Sequence, residues 1–517
     1  MESSRTSTFL FRRCGSMLPG LLPLHALLDV SRSRDQEWKP LLRLGRLLVG
    51  YQFSILSADF LTVVGLVASS PFSFVTRSGL AKKDSAWAER FGEVTYLRAW
   101  TQSIIFLNSR EAVSDLLDKQ GAIYSDRPRS VMAGELRQRR LFLSAFGAQH
   151  VMAYHPLIEH ETTSFLRRLV RNPVDYLGSI RRYAGGLTLQ TVYGYEATSN
   201  QDRYLLLAEE CLAILANHIA PSGKVWMVDI FPILKFIPRW MPGASFKRNA
   251  LKWKAKVEEF VDGPYNYIKA SVRSGTAVPC FCSTILDERS NEAFDELFEF
   301  DLKWTANSMY AASADTTVAT VCHFILAMIL HPDVLTKAQK EIDSIIGTHR
   351  LPTLRDRADL PYVNAVVKET LRWAVPVPLG LPHSLMKDDF YHDMFIPKKS
   401  LVFANIWTIL RDEKLFPQPD KFMPERFVDA PKDLLEQIDP NNYVFGFGRR
   451  ICPGMHLIDS SIWLLIACMS ASVDISKAED SSGKVIEPMI KYQNSVFSIK
   501  PRSQKALDLL RDEGQAL

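Results

Sequence analysis

The chain is poor in cysteine, with seven in 517 residues, and they are odd in number and scattered. Cys14, Cys211, Cys280, Cys282, Cys322, Cys452 and Cys468 show no disulfide spacing, which excludes a disulfide-stapled scaffold and fits a reducing, cytosol-facing compartment. Cys280 and Cys282 have no second pair of ligands at zinc spacing. Strong charge is missing as well. The net charge of +5 is mild, and no basic run interleaved with aromatics occurs, which argues against nucleic-acid binding. We find no internal repeat, no low-complexity tract, no clean signal-peptide layout in residues 1–50, and no flavin or nicotinamide module. A full membrane-spanning run is also lacking. Phe60 to Thr76 is uncharged over 17 residues, short of the about 20 that cross a bilayer, and Ser69, Ser70, Pro71 and Ser73 weaken it. A membrane helix and a buried or poorly ordered segment both stay open for that stretch.

What is present suits a large core: 47% hydrophobic residues against 23% charged. Phe91–Arg98 and Ser103–Leu107 predict two strands joined by a short turn. Arg110–Lys119 predicts a helix with Ala112, Val113, Leu116 and Leu117 on one face. Long helical stretches fill residues 137–270, and Phe294–Leu330 reads as one helix stopped by His331-Pro332. Leu360–Ala374 is another, with Leu360, Val363, Val367 and Leu371 on a single face. Pro376, Pro378, Pro382 and Pro397 punctuate short strands, residues 411–447 are turn-rich, and Met455–Ser472 returns to helix. Ile486–Lys491 and Val496–Ile499 are the last strand candidates. Helices dominate and do not alternate with strands, so a doubly wound sheet is excluded and the fold class is mainly α with a small β region.

Cys452 lies in the run Phe445-Gly446-Phe447-Gly448-Arg449-Arg450-Ile451-Cys452-Pro453-Gly454. Ile451 occupies the third glycine position of a dinucleotide loop, which removes that reading. A lone cysteine is most often a small buried hydrophobe. Here the glycines allow close backbone approach to a flat ligand, and the arginines are expected to lower the thiol pKa. Pro453 has no N–H, which leaves the other amides of the turn to point at sulfur. A thiolate so held is a strongly donating axial ligand for haem iron and favours O–O cleavage.

Within the long helix, Ala311-Ala312-Ser313-Ala314-Asp315-Thr316-Thr317 places an acid and two alcohols among small residues. Such side chains compete for backbone partners in a helix middle. They read either as a solvated face or as a proton relay beside a groove. Glu369-Thr-Leu-Arg372 is a pair three residues apart, of a kind worth about 0.2–0.5 kcal/mol on a surface. Periodicity turns both away from the Leu360/Val363/Val367 stripe, which favours the surface.

The decapeptide resembles the haem-binding signature of the cytochrome P450 family, F-x-x-G-x-R-x-C-x-G. Phe445, Gly448, Arg450, Cys452 and Gly454 fill all five fixed positions. Two further segments follow the family's order. Ala312–Thr317 is similar to its A/G-G-x-D/E-T-T motif, with Ser313 where the family usually has glycine. Glu369-x-x-Arg372, followed by Pro424-Glu425-Arg426-Phe427, is similar to its buried triad. The likeness covers most of residues 84–505, and Tyr124-Ser-Asp-Arg-Pro128 and Ala404-Asn-Ile-Trp407 look most like fungal microsomal members. Three departures stand out. Arg139 matches the arginine of the family's W-x-x-x-R pattern, but Glu135 stands at the tryptophan position. The stretch from Met132 to Arg137 is short, and residues 40–82 look inserted after a proline-rich Leu18–Leu24 hinge.

The resemblance implies one large domain over residues 84–517, with haem between a long distal helix and the cysteine loop. Residues 1–83 then form an N-terminal segment with a membrane anchor or an insertion. It implies haem b ligated by Cys452, within the signature loop that carries Phe445 and Gly448. Arg450, His383 and Arg139 are its expected propionate partners, though a satisfied core or surface histidine is equally open for His383. Thr316 and Asp315 would deliver protons. Glu369, Arg372 and Arg426 would lock the cysteine loop to the core, which reverses the surface reading. The implied activity inserts one oxygen atom of O2 into a lipophilic small molecule in secondary metabolism. Electrons would come from a separate NADPH-dependent reductase at the cytosolic face of the endoplasmic reticulum membrane. Arg137, Arg140, Lys421 and Arg449 are read as its docking face or as solvated surface, and Val375, Val377 and Leu379 as cavity-facing. Two alternatives remain: a peroxide-using or isomerising relative, and a haem-binding chain without turnover.

Overall fold

The computed structural model describes residues 30–31, 88, 90–99, 102–128, 151–219, 227–230, 232–288, 295–480, 482, 484–486 and 497–511. Residues Leu18–Leu24, Phe60–Thr76, Met132, Glu135, Arg137, Arg139 and Arg140 lie outside them.

Strands β1 (Val30–Ser31), β2 (Val94–Ala99), β3 (Gln102–Leu107), β4 (His383–Ser384) and β7 (Leu401–Ala404) form one sheet in the order β1-β2-β3-β7-β4. The β2–β3 hairpin pairs Tyr96 with Ile105, β7 runs parallel to β3 with Val402 beside Ile105, and β4 closes on β7 with His383 opposite Val402. Every residue of β7 is buried, so both faces of this central strand are covered and its apolar run needs no polar alternation. Strands β5 (Asp389–Tyr391) and β6 (Met394–Ile396) make a separate hairpin. The expected Arg110–Lys119 helix is an α-turn at Arg110–Val113 followed by a π-helical turn at Ser114–Lys119, with Ala112, Val113, Leu116 and Leu117 buried as the spacing requires.

Among the described residues eight helices have twelve residues or more: α1 (His155–Arg171), α2 (Tyr176–Tyr193), α3 (Arg203–Ile214), α4 (Ser245–Ser274), α5 (Glu296–Leu330), α6 (Pro332–Ile345), α7 (Pro361–Trp373) and α8 (Met455–Ser472). The Asp295 carboxylate caps α5 by accepting from Leu297 N–H at 3.0 Å, and Glu296 and Glu299 suit the positive end of its dipole. Pro332 stops it by forcing His331 out of the helical region, to φ −130° and ψ 66°. Helices α5 and α8 are apolar and long enough to cross a membrane, but most of each is buried in the protein core.

Strand β8 (Val473–Lys477) follows α8 directly and pairs antiparallel with β9 (Phe497–Pro501), Ile475 opposite Ile499. Nothing in the sequence reading anticipated β8, because five residues of alternation with no turn signal before them look like the fraying end of a helix. Two apolar clusters result. One surrounds α5 and α8, and the other lies under the sheet and includes Leu117, Val375, Phe416, Tyr443 and Phe447. The cysteine loop sits at their seam: Phe447 belongs to the second cluster and Leu457 to the first.

Candidate active site at the cysteine loop

A cavity opens between α2, α5, the cysteine loop and the start of α8. Cys452, Pro453 and Gly454 line it from the loop, and Met309, Ala312, Ser313, Thr316 and Thr317 from α5. Two of the motifs that are far apart in sequence, the signature cysteine and the alcohols of the long helix, therefore meet in one space.

The loop is held by backbone. Cys452 N–H donates to Phe445 O at 2.7 Å, and Gly448 N–H donates to the Asp118 carboxylate at 2.6 Å. Gly446 and Gly448 adopt φ of +80° and +53°, the left-handed region that L side chains avoid. At Gly448 the space is also closed, since a Cβ there would lie 2.2 Å from Leu117 O on the π-helical turn. Gly448→Ala is therefore expected to destabilise the fold by more than the about 1–3 kcal/mol of backbone strain alone, because the loop must also lift off that turn. Urea unfolding checks the stability, and haem uptake checks the loop. A variant matching the parent in both would remove the close approach from the argument.

The thiol itself differs from the expectation that the arginines lower its pKa. Burial pushes the Cys452 thiol up, and the Gly454 N–H is what opposes this. Arg450 turns away and donates from Nε to Ser125 O at 2.7 Å, while Arg449 is exposed. The protein places the sulfur and leaves the cation that would stabilise a thiolate to come from a ligand.

His383 is buried at the sheet end, with Nδ1 2.7 Å from Tyr124 O. A carbonyl only accepts, so Nδ1 carries the proton and Nε2 is the free acceptor when the ring is neutral. Burial, with the charges of Arg127 and Arg450, pushes its pKa down to about 3. Sequence reasoning missed Arg127, whose Nη1 donates to Leu381 O and Pro382 O at 2.7 and 2.8 Å. It also missed the role of Tyr124 and Ser125, which hold His383 and Arg450 through main-chain carbonyls that no side-chain pattern signals.

On α5, the Thr316 hydroxyl donates to Ala312 O at 3.0 Å. The Thr317 hydroxyl lines the cavity, is buried, and has no protein partner among the described residues. Asp315 does not line the cavity. Its charged neighbours are Arg181 on α2 and Glu209 on α3, and burial pushes its pKa up against the lowering effect of Arg181. Val375, Val377 and Leu379 do not line it either. Val375 and Leu379 are buried, and Val375 packs in the cluster under the sheet. Glu369 and Arg372, which periodicity turned outward, are both fully buried, and Arg426 joins them at 3.2 Å. Arg449 and Lys421 are exposed.

These residues fit a haem. A soft sulfur and a buried, unpartnered hydroxyl share the cavity, cationic side chains stand around β4, and Gly454 keeps the floor beside sulfur clear, since a Cβ there meets no protein atom within 4 Å.

A family model described as Cytochrome P450 matches residues 70–470. Cytochrome P450 monooxygenase claT of Ampulloclitocybe clavipes is 38% identical over 427 residues, 81% of this chain and 84% of the relative. Cytochrome P450 monooxygenase 208 of Postia placenta is 39% identical over 447 residues, covering 81% and 86%. Cytochrome P450 monooxygenase CLM2 of Gibberella zeae is 34% identical over 485 residues, covering 87% and 90%. The chain belongs to the cytochrome P450 family and is a haem-thiolate monooxygenase.

Proposed function

We propose that this enzyme inserts one atom of O2 into a lipophilic small molecule, with electrons from a separate NADPH-dependent reductase. The observation that carries the reading is the shared cavity of Cys452 and Thr316. Its remaining wall is largely aliphatic, with Ala184, Leu187, Val192, Met309, Leu457 and Ile458, which supports an apolar guest. Haem b, held by Cys452, supplies the oxygen-activating chemistry when bound. Arg450, His383 and Arg127 would bind its propionates, with Arg139 as the fourth candidate. Phe445 accepts the Cys452 N–H, and Gly448 docks the loop.

Thr316 serves as the proton-delivering alcohol. Its hydrogen now rests on Ala312 O, and a rotation about χ1 aims it into the cavity. Asp315 supplies that alcohol from the side of the exposed Arg181–Glu209 pair, and its raised pKa keeps it a proton carrier nearer neutrality. Residues 84–517 form the monooxygenase domain. Apart from Val30–Ser31, which pair with β2 in the domain's sheet, residues 1–83 anchor the chain at the cytosolic face of the endoplasmic reticulum or form an insertion, and Arg449 and Lys421 contribute to reductase docking.

Three measurements test this. The reduced, CO-bound protein should show the red-shifted Soret band of thiolate ligation; a band typical of histidine or neutral thiol would overturn it. Product should form with NADPH and a reductase, and formation from peroxide alone would favour the peroxide-using alternative. Thr316→Ala should keep that band but lower product per NADPH about tenfold or more, with the electrons appearing as peroxide. Unchanged coupling would remove Thr316 from proton delivery.

A further inference from the structure

We infer that Thr188 is a positioning residue that keeps the Ser313 hydroxyl from donating into the cavity; this rests on the haem-thiolate reading of that cavity. Ser313 stands where the motif it resembles carries glycine, so this chain has an extra alcohol on the face of α5 that also presents Thr316 and Thr317. An added donor there would compete with the proton-delivering alcohol for any anion bound beside it.

The hydrogen bonds account for that alcohol fully. Ser313 Oγ lies 2.5 Å from Thr188 Oγ1, 3.3 Å from Tyr310 O, and Thr188 Oγ1 lies 3.0 Å from Ala184 O. Two hydroxyl hydrogens serve these three contacts. One bridges the two oxygens, and the other rests on a main-chain carbonyl, whichever direction the chain of bonds runs. Neither hydrogen is left for a cavity ligand. Thr188 is itself well fixed: it is buried on α2, β-branched, and bonded back to its own helix. Gly185, one turn before Thr188, admits the Leu205 side chain of α3, since a Cβ there would lie 2.5 Å from it, and Tyr310 of α5 stands in ordinary contact with the same position. Without the Thr188 oxygen, Ser313 keeps only the long contact to Tyr310 O, and a neighbouring rotamer opens to the cavity.

The test uses the haem-loaded ferric protein with cyanide as the probe, an anion that a freed hydroxyl would stabilise. Thr188→Val keeps the side-chain shape and removes its polar atom. It should bind cyanide about 5-fold more tightly, the scale of one net hydrogen bond. Thr188→Ser should behave as the parent. In a Ser313→Ala background, Thr188→Val should change cyanide affinity no further. An equal change in both backgrounds, or none in either, would overturn the inference. Heat unfolding checks the bond without reference to haem: Thr188→Val and Ser313→Ala should lower the midpoint similarly, and the double variant no more than either. Additive losses would mean that the two hydroxyls do not act as a pair. The reduced, CO-bound spectrum of the unaltered protein tests the haem reading separately.

Discussion

With Cys452 replaced by alanine, the reduced protein should give no red-shifted Soret band with CO and form no product, while unfolding close to the parent. The reason lies in what else lines the cavity. Its other donor atoms are the hydroxyls of Thr188, Thr191, Ser313, Thr316, Thr317 and Ser461 and the thioether of Met309; no histidine and no second cysteine are among them. Among the described residues that line the cavity, no side chain stands ready to replace sulfur as a strongly donating anionic ligand. The fold should not notice the change, because the loop is fixed through Cys452 N, Phe445 O, Gly448 N and Asp118, none of which involves the thiol. Cys452→Ser sharpens the test. A serine hydroxyl stays neutral at pH 7, so any haem it retains should show a displaced band. Since burial pushes the Cys452 thiol up, its ionised form depends on a bound cation, and free thiol should be unreactive in protein stripped of haem. A thiolate band surviving in Cys452→Ala would place the ligand elsewhere.

Much of this architecture is legible in the sequence where periodicity is long. Helix α5 and its stop at His331-Pro332, and α8 from Met455 to Ser472, follow from apolar spacing and one proline. Strand β8 is not legible, because its stability comes from pairing with β9 some twenty residues later, a contact that no local pattern encodes. The site divides the same way. Cys452 and Thr316 announce themselves through unusual neighbours. Glu369 and Arg372 do not, since helical spacing shows only that they avoid the apolar stripe, and a second buried face filled by charge looks like solvent exposure. Tyr124 and Ser125 act through carbonyls and are silent for that reason. Asp315 illustrates a further limit: adjacency to Thr316 in sequence puts the two side chains about 100° apart around a helix, so one faces the cavity and the other the Arg181–Glu209 side.

Glu369→Ala should be the most destabilising of the charged-residue substitutions, by about 3–5 kcal/mol. Glu369 Oε1 accepts from Arg372 Nη2 at 2.8 Å, from Met423 N–H at 2.8 Å and from Arg426 Nε at 3.3 Å, while Oε2 accepts from Arg372 Nε at 2.7 Å. Removing this one carboxylate strands two guanidiniums, of which Arg372 is fully buried. The arginines keep their carbonyl partners at Leu410, Pro417, Gln418 and Lys421, so the charge is left uncompensated but not unsolvated. Burial already pushes Arg426 down from its ordinary pKa, with Glu369 as the main opposing influence, and the loss of Glu369 leaves that cost standing. Glu369→Gln keeps the shape and should lie between the two, because its amide nitrogen must face a guanidinium. The damage should reach the haem. The carbonyls held by these arginines belong to the turn-rich stretch whose Phe416 packs in one cluster with Tyr443, Phe447 and Leu117, the wall on which the cysteine loop rests. Urea titration followed at the Soret band of the CO complex should therefore show thiolate ligation lost at lower denaturant than in the parent. If Glu369→Ala unfolds within about 1 kcal/mol of the parent, the buried charge is being met by water, and the triad does not hold the loop.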